Sequence, residues 1–89
     1  MKILQFTADW CGACKMMKPK LQEFATEMGD RIQLEVINVD TDQEATDKYN
    51  VRNIPTFIFI KNEEIVERLV GAQPITKFKE IVTEHESKN

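Results

Sequence analysis

Residues 6–15 read Phe-Thr-Ala-Asp-Trp-Cys-Gly-Ala-Cys-Lys and contain both cysteines of the 89-residue chain, Cys11 and Cys14, with Gly12 and Ala13 between them. The reading of this stretch decides the rest. A structural crosslink between residues so close would close a very small loop and so constrain the unfolded chain little. In a reducing compartment such crosslinks are also rare. A metal clamp needs two further ligands, and no His or other Cys lies nearby to complete a tetrahedral set within one chain. A working redox couple is the remaining use, and its chemistry depends on where the pair sits in the fold.

Upstream, residues 2–7 read as a buried strand. Downstream the period changes, and Met17, Leu21, Phe24, Ala25 and Met28 fall at helical spacing until Gly29-Asp30 supplies a stop. Pro19 lies inside this helix, where it removes a backbone donor and is expected to kink the axis. Residues 32–39 alternate and then turn apolar, which predicts a second strand. Asp40-Thr41-Asp42 makes a turn and caps a short helix over 43–49, with Ala45 and Tyr49 facing inward. After Ile54-Pro55, Thr56 to Ile60 and Ile65 to Val70 form a hairpin around Lys61-Asn62-Glu63-Glu64. Gly71-Ala72-Gln73-Pro74 leads into a last helix with Ile75, Phe78, Ile81 and Val82 on its inner face.

The order β-α-β-α-β-β-α gives an α/β fold: a four-stranded mixed sheet with helices on both faces, in one domain over residues 1–89. The first two strands, joined through a helix, should be parallel, and the last two antiparallel. Cys11 then stands at the first turn of the first helix. Free backbone N–H groups and the helix dipole stabilise a thiolate there. Cys14 lies one helical turn further in. Cys11 is thus read as the nucleophile that forms a mixed disulfide with a substrate, and Cys14 as the thiol that resolves it.

The quoted stretch goes further than position. Trp10-Cys11-Gly12-x-Cys14-Lys15 after an apolar strand, Pro19 within the helix, Ile54-Pro55-Thr56 before the hairpin and Val70-Gly71 after it together resemble the thioredoxin family over nearly the whole chain, in a minimal form without the usual first strand and helix. The resemblance implies a protein dithiol-disulfide oxidoreductase without a cofactor. It also implies a cis peptide bond before Pro55. Trp10, Gly12, Ala13, Ile54, Pro55, Gly71 and Ala72 would form an apolar collar around Cys11, with Ile54 offering backbone groups to an extended substrate peptide. Disulfide-bearing proteins are the expected substrates and an NADPH-linked thioredoxin reductase the expected electron donor. The alternatives are a glutathione-coupled, glutaredoxin-like protein and a non-catalytic binding module of the same fold.

Three departures from the family pattern stand out. Ala13 replaces the usual proline between the cysteines, which predicts a less constrained and more oxidising couple. Gln5 occupies the place of a buried aspartate that helps take the proton from the resolving thiol, and Val36 that of its neighbouring lysine, which predicts slower resolution near neutral pH. The strand over 32–39 is left as a sheet edge, which Gln33 and Glu35 protect from pairing with another chain.

Composition limits the partners. The net charge is −3 with acids and bases intermixed, and 42% of residues are hydrophobic. No basic stripe invites nucleic acid, and no segment has the length or apolarity of a membrane span or secretory signal. A cytoplasmic monomer is expected. Met16, Met17 and Met28 read as core filler and His85 as a solvated residue of a polar tail over 84–89. Lys15 and Lys18 either support a thiolate weakly or solvate a helix face.

Overall fold

A computed structural model describes residues 1–86 of the chain. Its elements are β1 (Lys2–Thr7), α1 (Gly12–Met28), a 3-10 turn (Gly29–Arg31), β2 (Gln33–Asn38), α2 (Gln43–Lys48), β3 (Thr56–Lys61), β4 (Glu64–Val70) and α3 (Ile75–Glu86). The sheet order is β2-β1-β3-β4, with β1 and β2 parallel and the other two pairs antiparallel. This is the expected mixed sheet, with β2 at one edge.

The central position of β1 explains its composition. A strand covered on both faces needs apolar residues on both, and Ile3, Leu4, Gln5 and Phe6 are all buried. On one face, Ile3, Phe57 and Phe59 pack against Met17, Leu21, Phe24 and Met28 of α1 and Phe78, Ile81 and Val82 of α3. On the other, Leu4, Phe6, Ile37 and Ile58 meet Ala45 and Tyr49 at α2. Phe78 ties the first layer together, its ring lying 4.8 Å from that of Phe57 and 5.7 Å from those of Phe24 and Phe59.

The ends of the elements follow local chemistry. The α1 helix stops at Gly29, whose φ of 55° suits a residue without a Cβ, and whose N–H donates to the Ala25 carbonyl. It runs through Pro19 as one unbroken α-helix. Asp42 caps α2 by accepting the Ala45 N–H at 3.1 Å. The hairpin turn is narrower than the four residues expected: Lys61 and Glu64 pair at the strand ends, leaving Asn62 and Glu63, both at positive φ. Two such residues give the turn whose twist matches the strands it joins. Across β3 and β4, Phe59 faces Glu67 while Ile60 faces Ile65, so Val66 is an extra, bulged residue.

Two expectations are corrected. Met16 is not core filler but 71% exposed. The buried stripe of α1 runs through Met17, Leu21, Phe24 and Met28, and its neighbour one position earlier is turned about 100° away. The tail is not wholly free of structure, since α3 continues to Glu86. Its end is tied down: Arg31 donates to Glu86 from Nε at 2.8 Å and from a terminal nitrogen at 2.5 Å, and the Lys61 ammonium donates to the His85 carbonyl. His85 is accordingly half-buried rather than fully solvated. The remainder of that tail, residues 87–89, lies outside the described residues.

Candidate active site

The cysteine pair is built by the way β1 hands over to α1. After Thr7 the chain turns through Ala8, Asp9 and Trp10, and the Cys11 N–H donates back to the Ala8 carbonyl at 3.2 Å. Cys11 is the N-cap of α1, with extended φ and ψ of −86° and 107°. Its sulfur accepts the Cys14 N–H at 3.2 Å, filling the role that a serine or aspartate oxygen usually fills at a helix start. The same N–H, with the positive end of the helix dipole, favours negative charge on that sulfur.

Cys14 follows one turn later. Its Cα is 5.3 Å from that of Cys11, and the two sulfurs are bonded as a disulfide. Both are buried, Cys14 at 3% exposure and Cys11 at 6%. Ala8, Ala13, Val39 and Ile54 pack around them. The pair therefore sits in an apolar setting at the sheet end, where a charge on the Cys11 sulfur is favoured by the helix terminus it caps.

The distant parts of the expected collar converge on it to different degrees. Ile54 touches the cysteine cluster, and the Ile54–Pro55 peptide bond is cis, as the resemblance implied. The Pro55 carbonyl accepts the Gly71 N–H at 2.7 Å. This pins the loop after β4 to the loop before β3, and Gly71 meets the geometry with a φ of 85° that side chains resist. Gly12 and Ala72 are exposed and Ala13 is half-buried. Trp10 is 68% exposed, so it is no part of the core. Its indole N–H donates to the Asp40 carboxylate at 2.9 Å, across 30 residues of sequence.

Sequence reasoning missed Asp40 and Val39 as members of this region. Asp40 was legible only as a turn residue, because a bond between loops carries no periodic signal. Gln5 and Val36 do face one another, paired in the β1–β2 register. They lie on the α1 side of the sheet, and a groove of about 560 Å³ opens there, lined among others by Gln5, Cys14, Lys15, Lys18, Leu34 and Val36. Lys15 and Lys18 are exposed on its rim.

The Thioredoxin family model matches residues 1–84. The chain is similar to the thioredoxin of Bacillus subtilis (strain 168), at 43% identity over 83 residues that make up 93% of this chain and 80% of that protein. It is also similar to the thioredoxin of Haemophilus influenzae, at 40% identity over 93% of this chain and 78% of that protein. Among solved structures, Fasciola hepatica thioredoxin superposes with a TM-score of 0.87 at 38% identity, covering 94% of this chain and 79% of that one. Thioredoxin 1 from Thermosipho africanus TCF52B gives 0.86 at 29% identity, covering 98% of this chain and 96% of that one.

Proposed function

The chain belongs to the thioredoxin family and is a dithiol-disulfide oxidoreductase, and we propose that Cys11 attacks the substrate disulfide while Cys14 resolves the resulting mixed disulfide. One observation supports this division: the Cys11 sulfur caps α1 and receives the Cys14 N–H, whereas Cys14 lies deeper. A thiolate at that cap displaces one sulfur of the substrate, leaving the substrate bound to Cys11. Cys14 then attacks the Cys11 sulfur, the substrate sulfur departs with the electron pair and takes a proton, and the Cys11–Cys14 bond forms.

The collar gives the substrate its place. Ile54 next to cis-Pro55 presents backbone groups to an extended peptide, flanked by Trp10, Gly12 and Ala13 on one side and Gly71 and Ala72 on the other. Disulfide-bearing proteins are the substrates, as the family implies. An NADPH-linked thioredoxin reductase is the proposed donor, and a cytoplasmic location fits a couple that must be returned to the dithiol form. Among the described residues no helix is long and apolar enough to cross a membrane. A monomer is supported by the edge strand β2, where Glu35 pairs with Lys2 at 3.1 Å and interrupts an otherwise receptive edge. We treat residues 1–89 as one domain.

The division of labour is tested by trapping. Cys14→Ser, mixed with a disulfide-bearing protein such as insulin, should hold a covalent adduct on Cys11 that intact-mass measurement detects and dithiothreitol removes. Cys11→Ser should hold none. An adduct on Cys11→Ser, or none on Cys14→Ser, rejects the assignment. Regeneration of the oxidised parent protein by NADPH and thioredoxin reductase, but not by glutathione alone, would identify the donor.

A further inference from the structure

Resolution requires Cys14 to lose a proton, and burial makes a thiol reluctant to do so because it penalises the thiolate. On one side Cys14 packs against Ala8, Cys11, Ala13, Val39 and Ile54, none of which is a base apart from the other cysteine. Its other side opens on the groove between α1 and β2. The titratable side chains lining that groove are Asp9 from the loop before Cys11 and Lys15 and Lys18 from α1. From β2 it receives Leu34, Val36 and Asn38, while Glu35 alternates to the opposite face.

The inner wall of the groove carries an unusual residue for its depth. Gln5 is only 6% exposed and makes no side-chain hydrogen bond to any described residue. Yet among the described residues no fully buried side-chain nitrogen or oxygen lacks a partner. The Gln5 amide must therefore keep its polar atoms open to the groove. A space of about 560 Å³ is many times the roughly 30 Å³ occupied by one water. Its wall is largely apolar, but Gln5, Thr7, Asn38 and the charged rim of Asp9, Lys15 and Lys18 supply the polar partners that hold water.

We propose that this groove is the proton port of Cys14: water admitted between α1 and β2, and hydrogen-bonded by Gln5, takes the thiol proton directly to bulk solvent. This rests on the reading of Cys14 as the resolving thiol. The Cys14 S–H bond breaks and its proton passes to groove water. The thiolate then attacks the Cys11 sulfur of the mixed disulfide, and the substrate sulfur leaves with the electron pair and is protonated from solvent. Gln5 is a positioning residue, holding water without exchanging its own proton. Lys15 and Lys18, outnumbering Asp9, favour the thiolate through the same water. Hydration through the port lowers the cost of placing charge on the Cys14 sulfur.

The test separates the two thiol steps. In stopped flow with 5,5′-dithiobis(2-nitrobenzoate), Cys11 attack releases one thionitrobenzoate and Cys14 resolution a second, both read at 412 nm. Val36→Trp plugs the groove from an exposed edge position, and Leu34→Phe fills it from the neighbouring inward position. Each should raise the pH midpoint of the second release by about one unit and slow it about tenfold at neutral pH. The first release should keep its rate and midpoint. Gln5→Leu, which makes the wall apolar, should shift the second release in the same direction. A cooperatively folded variant of either β2 position whose second-release profile superimposes on the parent overturns the port. Loss of the role itself has a different signature: if Cys14 were the attacking thiol, Cys14→Ser would lose the fast first release and Cys11→Ser would keep it.

Discussion

Replacing Ala13 by proline should make the couple more reducing, and the structure supplies both sign and size. Ala13 lies in the first turn of α1, two residues after the Cys11 cap. Its N–H is one of those that have no carbonyl four residues back within the helix. Proline there forfeits no helical hydrogen bond, and its fixed φ is close to the helical value. The preceding residue, Gly12, has no Cβ to clash with the ring. In the dithiol form the turn from Cys11 to Cys14 is free to open, and forming the disulfide removes that freedom. Proline removes part of it beforehand, so closure costs less and the disulfide is favoured. Such a restriction is worth about 0.4–1 kcal/mol. At about 30 mV per 1.4 kcal/mol for a two-electron couple, the potential should fall by about 10–20 mV. The assay equilibrates parent and Ala13→Pro in the same series of glutathione buffers, quenches with an alkylating reagent and counts free thiols by mass. A potential equal to or above that of the parent would refute the reasoning.

Two further predictions concern stability. Phe78→Ala removes a fully buried ring that meets three other aromatic rings and should cost about 3–5 kcal/mol, a large part of the about 5–15 kcal/mol that holds a small domain together. Urea titration followed by far-UV circular dichroism measures it, and a loss under about 1 kcal/mol would mean that Phe78 does not tie this layer together. Glu86→Gln tests the Arg31 contact, whose hydrogen bond holds the Glu86 carboxyl below its ordinary pKa. Because the folded value is depressed, the stabilisation is present above the unfolded value of about 4.3 and disappears as pH falls through the folded value. The difference in urea midpoint between parent and variant should thus be visible near neutral pH and vanish in strong acid, and a difference that persists there contradicts the assignment.

The fold was legible wherever one residue's neighbours along the chain determine its surroundings. Alternation and helical spacing placed all four strands and three helices, Asp42 announced the cap of α2, and Gly29 announced the end of α1. The sequence pattern also placed Cys11 at a helix start, from which its chemistry follows. What remained hidden depends on residues far apart in the chain. The bulge at Val66 arises from the register between two strands. The helical form of residues 84–86 depends on Arg31 and Lys61, supplied from two other elements. Met16 shows the limit of counting apolar residues without fixing the angle of the stripe. At the site, the Trp10–Asp40 bond joins two loops that only the folded crossover brings together. The groove beside Cys14 could be suspected from Gln5 and Val36, but its depth is a property of the packed edge.

The location of Phe78, Ile81 and Val82 in the last helix has a consequence for synthesis. The N-terminal strand β1 is the centre of the sheet, yet one of the two layers that cover it is completed by side chains some seventy to eighty residues later. A nascent chain emerging from the ribosome can pair β1 with β2 and close α2 against the far face. Until α3 has emerged, however, the apolar sides of Phe24, Phe57 and Phe59 have no cover from it. The turn that carries Cys11 and Cys14 is thus made well before α3, the helix that completes the layer beneath the sheet.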